Sequence, residues 1–86
     1  MSDTSEIGYR VIAIIREALR VEEDMVIVPE TNIIMELDGD SLDIIEVVID
    51  IENEYEVDIL EEELQAVMLV GDLITIVERA YEEQKG

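Results

Sequence analysis

Polar and small residues recur every three or four positions near the start of the chain. Between residues 9 and 20 they are Arg10, Ala13, Arg16, Glu17 and Arg20. This spacing matches the turn of an α-helix and not the two-residue repeat of a strand, so it predicts a helix over about residues 5–20. Asp3 and Glu6 have the spacing of a capping box at its start, and Glu6 can pair with Arg10 one turn later.

The same spacing returns in the middle of the chain. From Asp40 onward the polar positions are Asp43, Glu46, Asp50, Asn53 and Glu54. They predict a second long helix that begins after the N-cap Asp40 and runs to about Tyr55. Asp43 falls in its first turn, where the helix dipole stabilises an anion.

Two further helices are expected in the last third of the chain. A short helical turn is predicted at about residues 61–65, and a last helix at about residues 71–83. The side of the last helix that we expect to be buried carries Leu73, Ile76, Val77, Ala80 and Tyr81.

A long connection separates the first two predicted helices, over residues 21–39. Pro29 breaks any helix there, and the strand-like residues 25–28 have no second strand to pair with. We therefore predict a loop whose apolar residues pack onto the bundle, as do Ile33, Ile34 and Leu37. The predicted fold class is all-α: one domain over residues 1–86, a small bundle of three long helices plus one short helix, with a long loop between the first two helices.

The residue types that are missing narrow the chemistry. The chain has no Cys, His, Phe or Trp, so the core must be aliphatic, with Met35 and Met68 expected to fill gaps. Without cysteine there is no disulfide and no thiolate metal site. No apolar run is long enough for a membrane span, and residues 1–6 lack the features of a signal peptide, so we expect a cytoplasmic protein.

Acidic residues dominate the surface. The formal net charge is −19, and residues 21–78 contain nineteen acids but no lysine or arginine. Such a surface repels nucleic acid and anionic lipid, and it attracts cations or a basic patch on another protein. A role in solubility alone is the simpler interpretation.

Ser41 stands where the long loop meets the second long helix, so its hydroxyl should be exposed. A nucleophilic serine needs an activating base, and the chain has no histidine and a single distant lysine, Lys85. These facts argue against a hydrolase. The serine could still accept a group from another enzyme, since the N–H groups at a helix start stabilise a phosphate. Alternatively, Ser41 is only a capping residue beside Asp40.

The acids before Ser41 resemble the start of a calcium loop, but the spacing fails. A loop that begins at Asp38 would place Leu42 at its fifth position and Ile49 at its last, where a bidentate glutamate is needed. We therefore predict no dedicated metal site, although clustered carboxylates could still bind divalent cations loosely.

The second long helix has two apolar stripes, more than one core contact requires. The first, the core stripe, contains Ile44, Val48, Ile51 and Tyr55, with Val47 beside it. The other, the outer stripe, contains Leu42, Ile45 and Ile49, and is flanked by Asp43, Glu46 and Asp50. We interpret the outer stripe as a docking site for a partner. The alternative is that both stripes are buried, as small bundles often allow.

The ordered set of these features resembles the acyl carrier protein family. Residues Asp40, Ser41 and Leu42 are similar to the family's phosphopantetheine attachment motif. The loop before the motif also resembles the family's, at Pro29, Glu30, Thr31, Ile33, Ile34 and Leu37. The helix after the motif resembles the family's partner-recognition helix, at Leu42, Asp43, Ile45, Glu46 and Ile49. Tyr55 and residues 70–73, at the start of the last helix, match as well. The chain departs from the common pattern at Asp38 and Gly39, at Leu60, where proline is usual, and at Leu69, where a threonine or serine often caps the last helix.

The resemblance implies a carrier and not an enzyme. A phosphopantetheinyl transferase would attach 4'-phosphopantetheine from coenzyme A to Ser41, flanked by Asp40 and Leu42. The arm would carry acyl groups as thioesters to fatty-acid, polyketide or related biosynthetic enzymes. Those enzymes would place basic patches against Leu42, Asp43, Ile45, Glu46, Ile49 and Asp50.

We expect the carrier to be a monomer that neither binds nucleic acid nor inserts into a membrane. Two alternatives need no prosthetic group. One is an acidic adaptor or inhibitor that binds a basic partner through the second long helix, and the other is a low-affinity buffer of divalent cations.

Overall fold

Five helices follow one another in the computed structural model, which describes residues 5–85. They are α1 (Glu6–Ala18), α2 (Ile33–Glu36), α3 (Ser41–Tyr55), α4 (Glu61–Leu64) and α5 (Val70–Lys85). The helix α1 packs against both α3 and α5. Within residues 5–85 there is no strand, and no helix is long and apolar enough to cross a membrane. The predicted all-α bundle of three long helices is confirmed, with α4 as the predicted short helix.

The first helix begins at Ser5, whose hydroxyl oxygen accepts a hydrogen bond from the Gly8 N–H at 3.0 Å. The same hydroxyl donates to the carboxylate of Glu78 and so ties the start of α1 to α5. The predicted capping residue, Asp3, lies outside the described residues. The observed cap therefore stabilises two helices at once, since one hydroxyl both accepts and donates.

Arg10 joins the start of α1 to the end of α3. Its Nη2 donates to Glu54 Oε1 at 2.6 Å, and its Nε donates to the other carboxylate oxygen. The predicted pair between Glu6 and Arg10 is wrong, because Glu54 offers the guanidinium both oxygens in the favoured bidentate geometry. This hydrogen bonding lowers the pKa of Glu54 and raises that of Arg10.

The acids at the end of α3 oppose its dipole, yet each has a donor close by. Besides the pair of Glu54 with Arg10, Glu52 Oε2 accepts from the Ile59 N–H at 2.9 Å. Glu56 lies 3.6 Å from the Lys85 Nζ. Basic residues of the two terminal helices thus offset Glu54 and Glu56 at the end of α3 that is remote from Ser41, and a backbone N–H stabilises Glu52.

The core is aliphatic, as the missing Phe and Trp require. Its most fully buried side chains are Ile15, Ile33, Ile51, Leu73, Val11, Val47, Val70 and Val77. The ring of Tyr55 lies at the edge of this core, edge-on to Tyr81 with ring centroids 5.6 Å apart. Burial raises the pKa of the Tyr55 hydroxyl.

The buried face of α5 differs in part from the prediction. Leu73, Val77 and Ala80 are buried as expected, and Ile76 is half-buried. Tyr81 is 40% exposed, so its predicted burial is wrong, because its ring packs at the margin against Tyr55. Ile74 is buried although its position did not predict it.

The connection between α1 and α3 contains a helix that the sequence did not predict. Asn32 caps α2, with its Oδ1 accepting from the N–H groups of Ile34 at 3.0 Å and Met35 at 2.9 Å. A single turn is too short to show a periodic pattern, so the sequence predicts only a loop here. Ile33 and Leu37 are buried as predicted, whereas Ile34 is exposed and contradicts the prediction.

The rest of the connection is tied down by polar contacts. The buried Thr31 accepts from the Val28 N–H through its Oγ1 at 3.0 Å. The guanidinium of Arg16 donates to the carbonyls of Glu22 and Met25. Together with the burial of Ile27, these bonds hold residues 21–31 against the bundle as an ordered loop.

Candidate phosphopantetheine attachment site

The start of α3 is fixed by two reciprocal hydrogen bonds. Asp40 Oδ1 accepts from the Asp43 N–H at 2.9 Å, and Asp43 Oδ2 accepts from the Asp40 N–H at 3.1 Å. The predicted N-cap Asp40 is thereby confirmed. Since Asp40 is the cap, the alternative that Ser41 caps the helix is wrong. Ser41 is exposed, and among the hydrogen bonds of residues 5–85 none uses its hydroxyl.

Gly39 holds the segment that leads to Ser41 against the core. Its N–H donates to the carbonyl of Ile33 at 3.0 Å. A Cβ at this position would lie 2.9 Å from Leu19 Cδ2 and 3.0 Å from Ile33 Cγ2. Asp38, the residue before it, has a left-handed backbone with φ 57°. Only a residue without a side chain allows this close approach.

Replacing Gly39 with alanine should therefore destabilise the fold. The added methyl group must push Leu19 and Ile33 aside, and overpacking of this kind typically costs about 1–3 kcal/mol. Urea unfolding, monitored by circular dichroism, measures the loss. A Gly39→Ala variant as stable as the wild type would contradict this account of the turn.

An apolar cavity opens beside Ser41, between α3 and α4. Its volume is about 220 Å³, and it is lined by Ser41, Ile44, Ile45, Glu61, Leu64 and Gln65. The sequence predicted that α4 is a helix but not that it lines this cavity, because the residues of α3 and α4 that line it are distant in the chain. The core-stripe residue Ile44 and the outer-stripe residue Ile45 lie together at this cavity.

The two stripes of α3 differ in burial. In the core stripe Ile44, Val47, Val48 and Ile51 are buried, and Tyr55 is half-buried. The outer stripe is exposed: Leu42 by 61%, Ile45 by 37% and Ile49 by 49%. The alternative that both stripes are buried is therefore wrong.

Within the described part of the chain, the acids around the outer stripe form no ion pair, although Arg10 lines the same surface cavity as Asp50. Glu46 and Asp50 are exposed, and Asp43 is half-buried within the capping box. The ion pairs found among residues 5–85 join Arg10 to Glu54 and Lys85 to Glu56. Both pairs lie at the end of α3 that is remote from Ser41. The Ser41 end of α3 consequently presents apolar side chains framed by uncompensated negative charge.

Comparison with known proteins gives a consistent result. Residues 10–77 match a family model described as the phosphopantetheine attachment site. The chain is 35% identical over 79 residues to an acyl carrier protein of Thermotoga maritima, covering 92% of this chain and 96% of the relative.

Solved structures have the same fold. A crystal structure of an acyl carrier protein from Thermotoga maritima superposes with a TM-score of 0.74 at 30% identity, covering 94% of this chain and 98% of that one. A Mycobacterium tuberculosis protein assigned as an acyl carrier protein superposes with a TM-score of 0.77 at 26% identity, covering 85% and 96%. The chain belongs to the acyl carrier protein family, a membership that implies a covalent 4'-phosphopantetheine group.

Proposed function

We propose that this chain carries acyl groups as thioesters on a 4'-phosphopantetheine arm attached to Ser41 Oγ, for fatty-acid, polyketide or related biosynthetic enzymes. The observation that carries the proposal is the exposed Ser41 hydroxyl, which is free because Asp40 caps α3. The chain has no histidine or cysteine to activate this hydroxyl. Its place at a helix start suits a group received from another enzyme.

The attachment step is a phosphoryl transfer. Ser41 Oγ attacks the phosphorus of coenzyme A that bears the pantetheine, and a new O–P bond forms. The P–O bond to the second phosphate breaks, and adenosine 3',5'-bisphosphate leaves. The hydroxyl proton passes to a base of the transferase, since the chain has no histidine or cysteine and the Asp40 and Asp43 carboxylates beside Ser41 already accept the hydrogen bonds of the capping box.

The residues around Ser41 fit a phosphate at this position. Among the hydrogen bonds of the described chain, none uses the backbone N–H of Ser41 or Leu42, so both can donate to a phosphate oxygen. The positive end of the α3 dipole favours the same anion. When bound, the arm supplies a thiol that holds the acyl group. Ile44, Ile45 and Leu64 would shield an apolar acyl chain in the adjoining cavity.

The outer stripe is the proposed contact surface for partner enzymes, which are the phosphopantetheinyl transferase and the enzymes that transfer or modify acyl groups. Complementary charge steers the encounter, with basic patches of the partner opposite Asp43, Glu46 and Asp50. Burial of Leu42, Ile45 and Ile49 then holds the complex. The low intrinsic strength of such a small patch suits a carrier that must leave each enzyme again.

Reversing the charge of Glu46 should slow arm transfer. Exposed rim charges act mainly on the association rate and its salt dependence. We expect Glu46→Lys to lower the transferase kcat/KM at low salt and to weaken its salt dependence, with little change in the free energy of unfolding. Steady-state kinetics at two salt concentrations test this.

Glu82→Lys is the matched control for Glu46→Lys. It makes the same change in net charge at an exposed position of α5, close in sequence to Lys85, which lies by the remote end of α3. Equal slowing by both variants would mean that total charge, and not the outer stripe, governs the encounter.

The direct test of the proposed function is an intact-mass measurement. The purified chain is incubated with coenzyme A, Mg²⁺ and a transferase of broad specificity. We expect a gain of one phosphopantetheine per chain. An unchanged mass with several transferases would reject the carrier function and favour the acidic adaptor, which needs no prosthetic group.

A further inference from the structure

Four large apolar side chains are exposed where α2 meets the connection between α4 and α5. Met35 is 80% exposed and Met68 is 55% exposed, and Ile34 and Leu69 accompany them. We call these four residues the α2 patch. The prediction that both methionines fill core gaps is wrong, because aliphatic residues such as Ile33 and Val70 already occupy the core beneath them.

Backbone hydrogen bonds bring the two halves of the α2 patch together. The Ile33 N–H donates to the Met68 carbonyl at 2.9 Å, and the Val70 N–H donates to the Thr31 carbonyl at 2.9 Å. Asn32 and Leu69 form an antiparallel bridge between these two bonds. Ile34 and Met35 follow directly in the chain, so they emerge beside Met68 and Leu69.

Side-chain caps hold both segments in place. Asn32 caps the N–H groups of Ile34 and Met35, as described for α2. On the other side Asp72 Oδ2 accepts from the N–H groups of Met68 at 3.1 Å and Leu69 at 2.9 Å. A surface whose backbone is already fixed loses little conformational entropy on binding. Flexible methionine side chains on a fixed backbone can adapt to a partner's shape.

The α2 patch and the attachment site share an anchor. The Ile33 N–H holds Met68, while the Ile33 carbonyl accepts the bond from Gly39, two residues before Ser41. The α2 patch therefore lies next to the segment that leads to Ser41, where an enzyme that binds the Ser41 hydroxyl can also contact it. The outer stripe of α3 begins at Leu42, so along the chain Ser41 lies between the patch residues Ile34 and Met35 and the outer stripe.

Charge decides which occupant fits. Glu30, Glu36 and Asp72 are exposed near the patch. Arg20 and Arg79 line surface cavities together with Glu36 and Asp72, respectively, but neither arginine forms an ion pair within residues 5–85, so the patch keeps acidic neighbours. A second copy of this chain would bring another net charge of −19 against it, and an anionic lipid surface would be repelled as well. The complementary partner is a protein with apolar side chains framed by lysine or arginine.

The chemistry selects among such proteins. The transferase reacts at Ser41 Oγ itself, so it must touch the protein surface around that atom, whereas later enzymes act at the distant thiol of the arm. We propose that the α2 patch is a second docking surface for the phosphopantetheinyl transferase, in addition to the outer stripe of α3. This inference rests on the proposed function.

The test compares two variants with the wild type in transferase kinetics at saturating coenzyme A. Met35→Gln/Met68→Gln makes the patch polar at nearly constant side-chain length. Tyr9→Gln is the control, because Tyr9 is 66% exposed and adjoins Arg10, at the remote end of α3. We expect the double variant to raise KM for the carrier about tenfold, with kcat and melting temperature little changed and the control unaffected.

The outcomes separate the two proposals. Normal loading of the wild type with an unchanged KM for the double variant would overturn the α2 patch and leave the proposed function standing. Failure to load the wild type would reject both. A wild-type dimer in sedimentation equilibrium that the double variant dissociates would assign the patch to a second copy, and so overturn the proposal.

Discussion

Replacing Ser41 with alanine will abolish the addition of phosphopantetheine and leave the stability of the chain close to that of the wild type. The oxygen that we propose as the nucleophile is lost, and no other hydroxyl lies at the start of α3. The cap of the helix is the Asp40 side chain, which the substitution leaves intact, and alanine is a good helix former. Intact mass measures loading, and urea unfolding measures stability.

Ser5→Ala is the matched control, with the opposite expected result. It removes the hydroxyl that caps α1 and bonds to Glu78, so stability should fall by about 0.5–2 kcal/mol. Phosphopantetheine should nevertheless be added, because Ser5 caps α1 and the Ser5→Ala substitution leaves Ser41, at the start of α3, unchanged. Addition of phosphopantetheine to Ser41→Ala would show that the attachment residue lies elsewhere.

Truncating Ile51 should cause the largest loss of stability among the changes considered for α3. The side chain is fully buried, at 0% exposure. Its replacement by alanine leaves a cavity and should cost about 2–5 kcal/mol. Since small domains are stable by only about 5–15 kcal/mol, a large fraction of the stability is lost. Denaturant unfolding measures this, and the molecules that remain folded should still dock and be loaded.

Ile45→Ala is the comparison within the same helix. Ile45 belongs to the outer stripe and is 37% exposed, so its truncation should cost far less stability than that of Ile51. It should instead weaken docking, seen as a higher KM in transferase kinetics. Equal destabilisation by the two substitutions would show that Ile45 is a core residue and that the docking face is misplaced.

Features set by neighbouring residues could be predicted from the sequence. The spacing of Glu46 and Asp50 predicted α3, and the cap by Asp40 depends on contacts within a single turn. Ser41 could be placed at the helix start for the same reason. The number of apolar residues on α3 predicted an outer stripe in addition to the core stripe. Only the structure showed that the outer stripe is exposed and that the two stripes are not both buried.

Features set by contacts between distant residues could not be predicted. Arg10 pairs with Glu54 on another helix, a choice that depends on how α1 and α3 pack. The helix α2 is a single turn whose Ile33 N–H bonds to Met68, far along the chain. The apolar character of methionine likewise predicts that Met35 is buried in the core. Whether a methionine is buried or exposed depends on its tertiary surroundings, which the sequence does not show.

The backbone bonds that join α2 to the start of α5 also bear on the order of folding. Ile33 and Gly71 donate to partners in the other half of the chain, at Met68 and Pro29. Closing such long loops carries an entropic cost, so contacts of this kind form late relative to local helices. The α2 patch beside the attachment site is therefore complete only after α5 has docked. An enzyme that recognises this surface thereby discriminates between a finished fold and a chain that is still folding.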